Sequence, residues 1–140
     1  PKTLTPTGNT QIICLIYTPD GSLRGVNRSV AQQIDLMPTL LGLTGYDRPY
    51  FAFGRDVLRE TDREPMVSNY AGGTYQGITD SLVLFFDGER TLSAYLRSDT
   101  LQKNDISGIR TPALEAAERD LKARLQQYYR HVKQKDYLAE

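Results

Sequence analysis

Four short β-rich runs between Met66 and Ser98, each closed by glycine or aspartate, constrain the fold of this chain more than any other feature. They read MVSNYA, TYQGITD, SLVLFFDGE and TLSAYLRS, and are separated by Gly72-Gly73, Asp80 and Asp87-Gly88. Runs rich in β-branched and aromatic residues, bounded by such turn residues, predict strands. Asp-Gly followed by a second β-rich run is a hairpin signal. The three later runs lie close enough in sequence to make an antiparallel meander. The Gly72-Gly73 pair does not read as a phosphate loop, because neither a lysine nor a helix follows it.

After the meander, Thr111-Pro112 predicts a helix start, with threonine as N-cap and proline at the first helical position, where its missing N–H removes no bond. The helix is expected to run to about Tyr137. Leu114, Ala117, Leu121, Leu125, Tyr128 and Val132 recur every three or four residues and form its apolar face, while Glu115, Glu118, Arg119, Lys122 and Gln126 form the other. The pair Tyr128-Tyr129 reads as core and rim packing rather than a ligand box. His131, the single histidine, lies among Arg130, Lys133 and Lys135 with no second ligand at helical spacing, so a solvated surface position is expected.

The first half is more apolar. QIICLIYT, residues 11–18, is a continuous run ended by the turn Pro19-Asp20-Gly21, and it predicts a strand covered on both faces in the middle of a sheet. Cys14 within it is expected to be a buried, unreactive thiol. Further on, Asp35 precedes Leu36, Met37, Leu40, Leu41 and Leu43, the spacing of a mostly buried helix, and Gly45 sits where a left-handed residue would end it. Pro38 falls in the first turn of such a helix and marks its start. Asp35 reads as a cap on the free first-turn N–H groups rather than as a catalytic acid, so asparagine should replace it almost as well. Leu40 and Leu41 are expected in the core. RPYFAFGRDVL then reads as a loop folding back over the core, with a short turn at residues 56–58.

Composition narrows the function. A chain of 140 residues with 39% apolar content fits one domain, residues 1–140, and contains no stretch of about 18 apolar residues that would insert in a membrane. Lys plus Arg and Asp plus Glu balance at 17 each, without a basic stretch interleaved with aromatics, so nucleic acid is not an expected partner. One cysteine allows no internal disulfide and no thiolate metal cluster. No serine has a histidine near it in sequence, and DTLQKNDISG, with Asp99 and Asp105, lacks the ligand spacing of a calcium loop. The absence of an initiating methionine leads to the expectation of a processed chain or a piece of a larger one. Residues alone stop at an α and β domain.

ICLIYTP, QIDLMPTLLGLTGY and FAFGRDVL, in this order and spacing, resemble the C-terminal part of the sulfatase family within the alkaline phosphatase superfamily. The nearest branch is the lipoteichoic acid synthase-like, membrane-anchored one. The resemblance runs through Ile12 to Pro19, Gln33 to Gly45 and Phe53 to Leu58. It continues through DTLQKND, where Thr100 stands for the family's proline, to the closing helix around LKARLQQYYRHV. Gln11-Ile12 departs from the family's usual valine-proline at the start of the first strand.

The resemblance implies an α/β fold, α+β as an isolated fragment: the C-terminal portion of an alkaline-phosphatase-like domain. Residues 1–65 would supply a strand and helix joining the central sheet, and residues 66–140 an antiparallel meander and a long helix. It further implies a parent on the extracytoplasmic face of a bacterial cytoplasmic membrane. There a divalent metal (zinc, manganese or calcium) activates a threonine or a cysteine-derived formylglycine against a sulfate or phosphate ester. In that family the nucleophile and metal ligands lie upstream of the strand matched here by residues 12–19. No catalytic, cofactor-binding or metal-ligating residue is therefore carried over to any position of this chain, and its expected partner is the upstream part of the same polypeptide. The alternative is a free-standing, non-catalytic module that binds a glycan or a protein through the meander.

Overall fold

Gly72 and Gly73 both take positive φ, +60° and +82°, the left-handed pair that a two-residue turn between twisted strands requires. They join β1 (Met66–Ala71) to β2 (Thr74–Thr79) in a computed structural model that describes residues 5, 7–59 and 64–134. β3 (Leu82–Phe86) and β4 (Thr91–Leu96) complete an antiparallel sheet in the order β1-β2-β3-β4. The Asp87 carboxylate holds the β3–β4 turn by accepting the N–H groups of Glu89 and Arg90 at 2.8 and 2.9 Å. The chain is thus of mixed α and β class, with the meander expected from its turns.

The core lies between this sheet and one long helix. Leu82, Leu84 and Phe86 of β3, with Met66 and Ala94, pack on Leu114, Ala117 and Leu121 of the helix at Pro112–Gln134. Gly77 makes the approach possible: a Cβ there would stand 3.0 Å from Leu84 Cδ2 and 3.2 Å from Leu121 Cδ2. Full burial of a leucine such as Leu121 is worth about 1.5–3 kcal/mol. The helix starts as expected, with Leu114 N–H donating to Thr111 Oγ1 at 3.2 Å. Tyr128 and Val132, placed on its apolar face by periodicity, are exposed. Its expected continuation to Tyr137 lies outside the described residues.

In the first half, a 3-10 turn (Gln33–Asp35) leads into α1 (Leu36–Leu43), so that the long helix is α2. Pro38 sits in the first turn of α1, as expected. The end is a Schellman arrangement: Gly45 N–H donates to Gly42 O, Tyr46 N–H to Leu41 O, and Gly45 has φ +66°.

Two expectations for this half are overturned. Residues 11–18 form no strand, and Ile13 and Leu15 are 96% and 87% exposed; Cys14 is exposed as well. A strand apolar on both faces needs neighbours on its edges, and no strand of the meander pairs with this run. On β1, Ser68 N–H donates to the Gln32 side chain; on β4, Ala94 N–H donates to Asp105 Oδ1 and Ala94 O accepts Ile106 N–H. Among the described residues, nothing in the 1–65 half joins the sheet as a strand. The second correction concerns α1, which turns its apolar side outward: Leu36, Met37, Leu40 and Leu43 are exposed, Leu40 by 51%, while Pro38 and Thr39 are buried. Polar anchoring through Asp35 and Thr39 decides that orientation.

Candidate functional site

Asp35, the one acid weighed for a site role, is buried and fully engaged. Its Oδ2 accepts the backbone N–H of Gln32 at 2.9 Å, and its Oδ1 accepts the backbone N–H of Arg55 at 2.8 Å. It therefore does not cap the first turn of α1 in the expected way. It reaches back to the residue that opens the 3-10 turn and across to the FGRD loop. Both carboxylate oxygens carry a donor, which leaves neither directed at a substrate.

One turn later, Thr39 repeats the connection. Its hydroxyl donates to Asp35 O at 2.6 Å and accepts Val57 N–H at 3.1 Å. Between these two bonds the backbones come into contact: a Cβ at Gly54 would overlap the Ile34 carbonyl oxygen, and one at Gly42 would overlap the Asp56 carboxylate. The buried side of α1 is thus Asp35, Pro38 and Thr39, while Leu36, Leu40 and Leu43 lie exposed and Leu41, expected in the core, is half-buried. QIDLMPTLLG and FGRD, which belong to two of the segments that carry the family resemblance, are locked to each other here.

From this junction a polar seam runs to the meander. Arg55 Nη2 donates to Val30 O at 3.0 Å and to Ser29 Oγ at 3.4 Å. Val30 N–H and Ser29 Oγ donate to the Asp80 carboxylate at 2.8 and 3.2 Å, and Arg97 Nη1 pairs with Asp80 at 3.0 Å. Asp80, in the β2–β3 turn, thus clasps the first half to the sheet. Asp80 and Arg97 are each about two-fifths exposed, so the ion pair by itself adds little. The backbone donor from Val30 is what fixes the register of the clasp. Ser29 has a carboxylate for a neighbour but no general base aligned behind it, and Asp80 already accepts three donors.

Thr39, Arg55, Asp80 and Arg97 escaped the sequence reading. Only Thr39, four residues after Asp35, carried a local signal; Asp80 and Arg97 are 17 residues apart and meet only through the sheet.

The remaining candidates are placed as follows. His131 is half-buried, with its ring 4.7 Å from that of Phe51 and 5.7 Å from that of Phe53, so the solvated position expected for it is corrected: the 51–53 loop covers it. Tyr129 hydroxyl and Tyr75 hydroxyl share a hydrogen bond of 2.5 Å, and Tyr128 packs on Phe53. That bond, first, and burial raise the Tyr75 hydroxyl above the ordinary tyrosine range. Asp99 accepts the N–H groups of Lys103 and Asn104, and the Asn104 bond chiefly lowers its carboxyl below the usual range. Asp105 is lowered too, burial opposing the bonds from Ala94 and Ser107 that prevail. Both acids therefore organise a loop.

Among the described residues no cluster of three or more His, Cys, Asp or Glu is placed to hold a metal ion, and no helix is long and apolar enough to cross a membrane. The chain matches no protein-family model, no curated protein and no solved structure.

Proposed function

We propose that this chain is the C-terminal structural portion of a metal-dependent sulfuric ester hydrolase or phosphoglycerol/phosphoethanolamine transferase, and that it supplies neither nucleophile nor metal ligand. Its work is to complete the fold of the catalytic part. The observation that carries the reading is the junction just described. Two of the segments that resemble the sulfatase family, around QIDLMPTLLG and FGRD, are held together by Asp35, Thr39 and Gly54, while the apolar side of α1 and the run 11–18, which carries a third, are left uncovered. Exposed apolar surface of that extent marks an interaction site, and the upstream part of the same polypeptide is the occupant the resemblance supplies.

The test is reconstitution. The 140-residue chain alone should not turn over nitrophenyl sulfate or nitrophenyl phosphate with zinc, manganese or calcium present. Joined to the segment encoded ahead of it, it should restore metal-dependent turnover of one of them. Metal-dependent turnover by the chain alone, surviving purification controls, would refute the reading.

A specific observation favours the alternative, a non-catalytic binding module. Tyr70, Tyr128 and Tyr129 are exposed near one another's ring partners, Tyr75 and Phe53, the kind of aromatic surface on which a sugar ring stacks. Glycan binding that is lost in Tyr70→Ala and Tyr129→Ala, with no ester turnover in the joined protein, would favour that reading instead.

A further inference from the structure

Residues 27–59 are stitched to one another by side chains that span the segment. Asn27 Nδ2 donates to Val57 O at 2.9 Å and Arg55 Nη2 to Val30 O at 3.0 Å, while Asp35 and Thr39 accept the N–H groups of Arg55 and Val57. Of these residues only Val30, Asp35, Pro38 and Thr39 are buried. The apolar cluster between the sheet and α2 is built without them: its buried members lie from Met66 to Leu121, and the part-buried Tyr75, Ile106 and Leu125 packed on it come from the same half. What joins the two parts is polar or stands at a rim. Val30 N–H and Ser29 Oγ reach Asp80, Gln32 Oε1 accepts Ser68 N–H at 3.2 Å, Arg97 Nη2 donates to Arg28 O at 3.5 Å, and the rings of Phe51 and Phe53 lie against His131 and Tyr128. Among the described residues, no backbone–backbone hydrogen bond joins 27–59 to the sheet or to α2.

We propose that residues 27–59 form an arm, latched by Asp80, that comes off the meander as one unit while the sheet and α2 stay folded. A segment opens at the cost of the contacts it gives up, and such local opening lies below global unfolding wherever few apolar contacts are lost. Releasing the arm gives up the Asp80 clasp, the Gln32 bond and the rim contacts of two rings. Unfolding the meander must in addition expose Leu84, Phe86 and Leu121, the centre of the apolar cluster. The arm leaves as a unit because the bonds from Asn27, Asp35, Thr39 and Arg55 lie within it and are not broken by its release. It carries the uncovered apolar side of α1, so its opening changes where that surface stands relative to the meander.

The latch belongs to the 140-residue chain as it stands and involves no ester chemistry, so failure of the function proposed above leaves it untouched. Native-state hydrogen exchange of the whole chain, read amide by amide by NMR, tests it. Ser68 N–H is the reporter, because it belongs to β1 while its partner, Gln32, belongs to the arm. In the unaltered chain Ser68 and Val30 should show one common protection, at least about 100-fold below that of the slowest β3 amides. Asp80→Ala removes the latch and no member of the apolar cluster, and should speed exchange at Ser68 about tenfold, the worth of a charge-assisted bond to the Val30 backbone donor. Ser68 protected as strongly as β3 would mean that the arm leaves only when the whole chain unfolds. Unequal protection at Ser68 and Val30, or a Ser68 rate unmoved by Asp80→Ala, would mean that the contacts open separately. Each of these results overturns the proposal, and the first two are read in the unaltered chain whether or not the variant folds.

Discussion

The carboxylate of Asp35 accepts the backbone N–H of Arg55 at 2.8 Å across 20 residues, and this one bond joins two segments that local periodicity treats as unrelated. The other oxygen accepts Gln32 N–H. Two backbone donors on two carboxylate oxygens is an arrangement that only an acid satisfies in full.

Asp35→Asn should therefore cost nearly as much as Asp35→Ala. The amide keeps one acceptor and sets an NH2 group against a backbone N–H. Both variants should lose about 1–3 kcal/mol, the penalty for a buried donor left without a partner, read from the urea midpoint. A fully stable asparagine variant would restore the simple capping role and exclude the Arg55 bond as a stabilising contact.

Gly54→Ala should be as damaging as a core substitution although it adds only a methyl group, because that methyl would overlap the Ile34 carbonyl oxygen, which is backbone and cannot rotate away. A loss of about 1–3 kcal/mol is expected. At Gly45 a Cβ meets no atom within 4 Å, but φ is +66°, so Gly45→Ala should lose only about 1–2 kcal/mol from backbone strain. Chemical denaturation of both variants checks the order.

Leu40→Ala should lower stability by less than about 1 kcal/mol, because the side chain is half exposed. Leu121→Ala, at a fully buried position beneath Leu84 and Gly77, should cost about 2–5 kcal/mol. Equal losses at the two sites would show that α1 packs inward in solution.

Acid should weaken the contact between β4 and α2. Glu118 accepts from Lys122 Nζ at 2.6 Å and from Thr91 Oγ1 at 2.7 Å, and these bonds, the Lys122 one first, hold its carboxyl below the ordinary glutamate range. A folded value below the unfolded one means that the stabilisation is present above the unfolded value, near pH 4.3, and is lost as pH falls through the folded one. The group is part-exposed, so the effect is modest. Thermal melts from about pH 6 to about pH 2.5 should fall in this window, and Glu118→Gln should flatten the fall. An unchanged pH profile in the variant would remove Glu118 as a contributor.

The sequence by itself determined everything that short-range geometry controls. Gly72-Gly73 and Asp87-Gly88 specify hairpins through their own backbone conformations, Thr111-Pro112 starts a helix with its own side chain and ring, and Gly45 ends one through its own φ. The buried face of α2 followed from its period as far as Leu121, where the sheet supplies a partner. What tertiary structure decided is which apolar surfaces find cover. The run 11–18 and the leucines of α1 have the composition of core elements, but hydrophobicity is non-directional and names no partner. Asp35, Thr39 and Gly54, through bonds and contacts that span 18 to 20 residues, fixed the orientation of α1 and turned Leu36, Met37, Leu40 and Leu43 to solvent. At the sheet edges Gln32 bonds Ser68 of β1, and Asp105 and Ile106 bond Ala94 of β4, while the most strand-like run of the sequence, residues 11–18, stands outside the sheet.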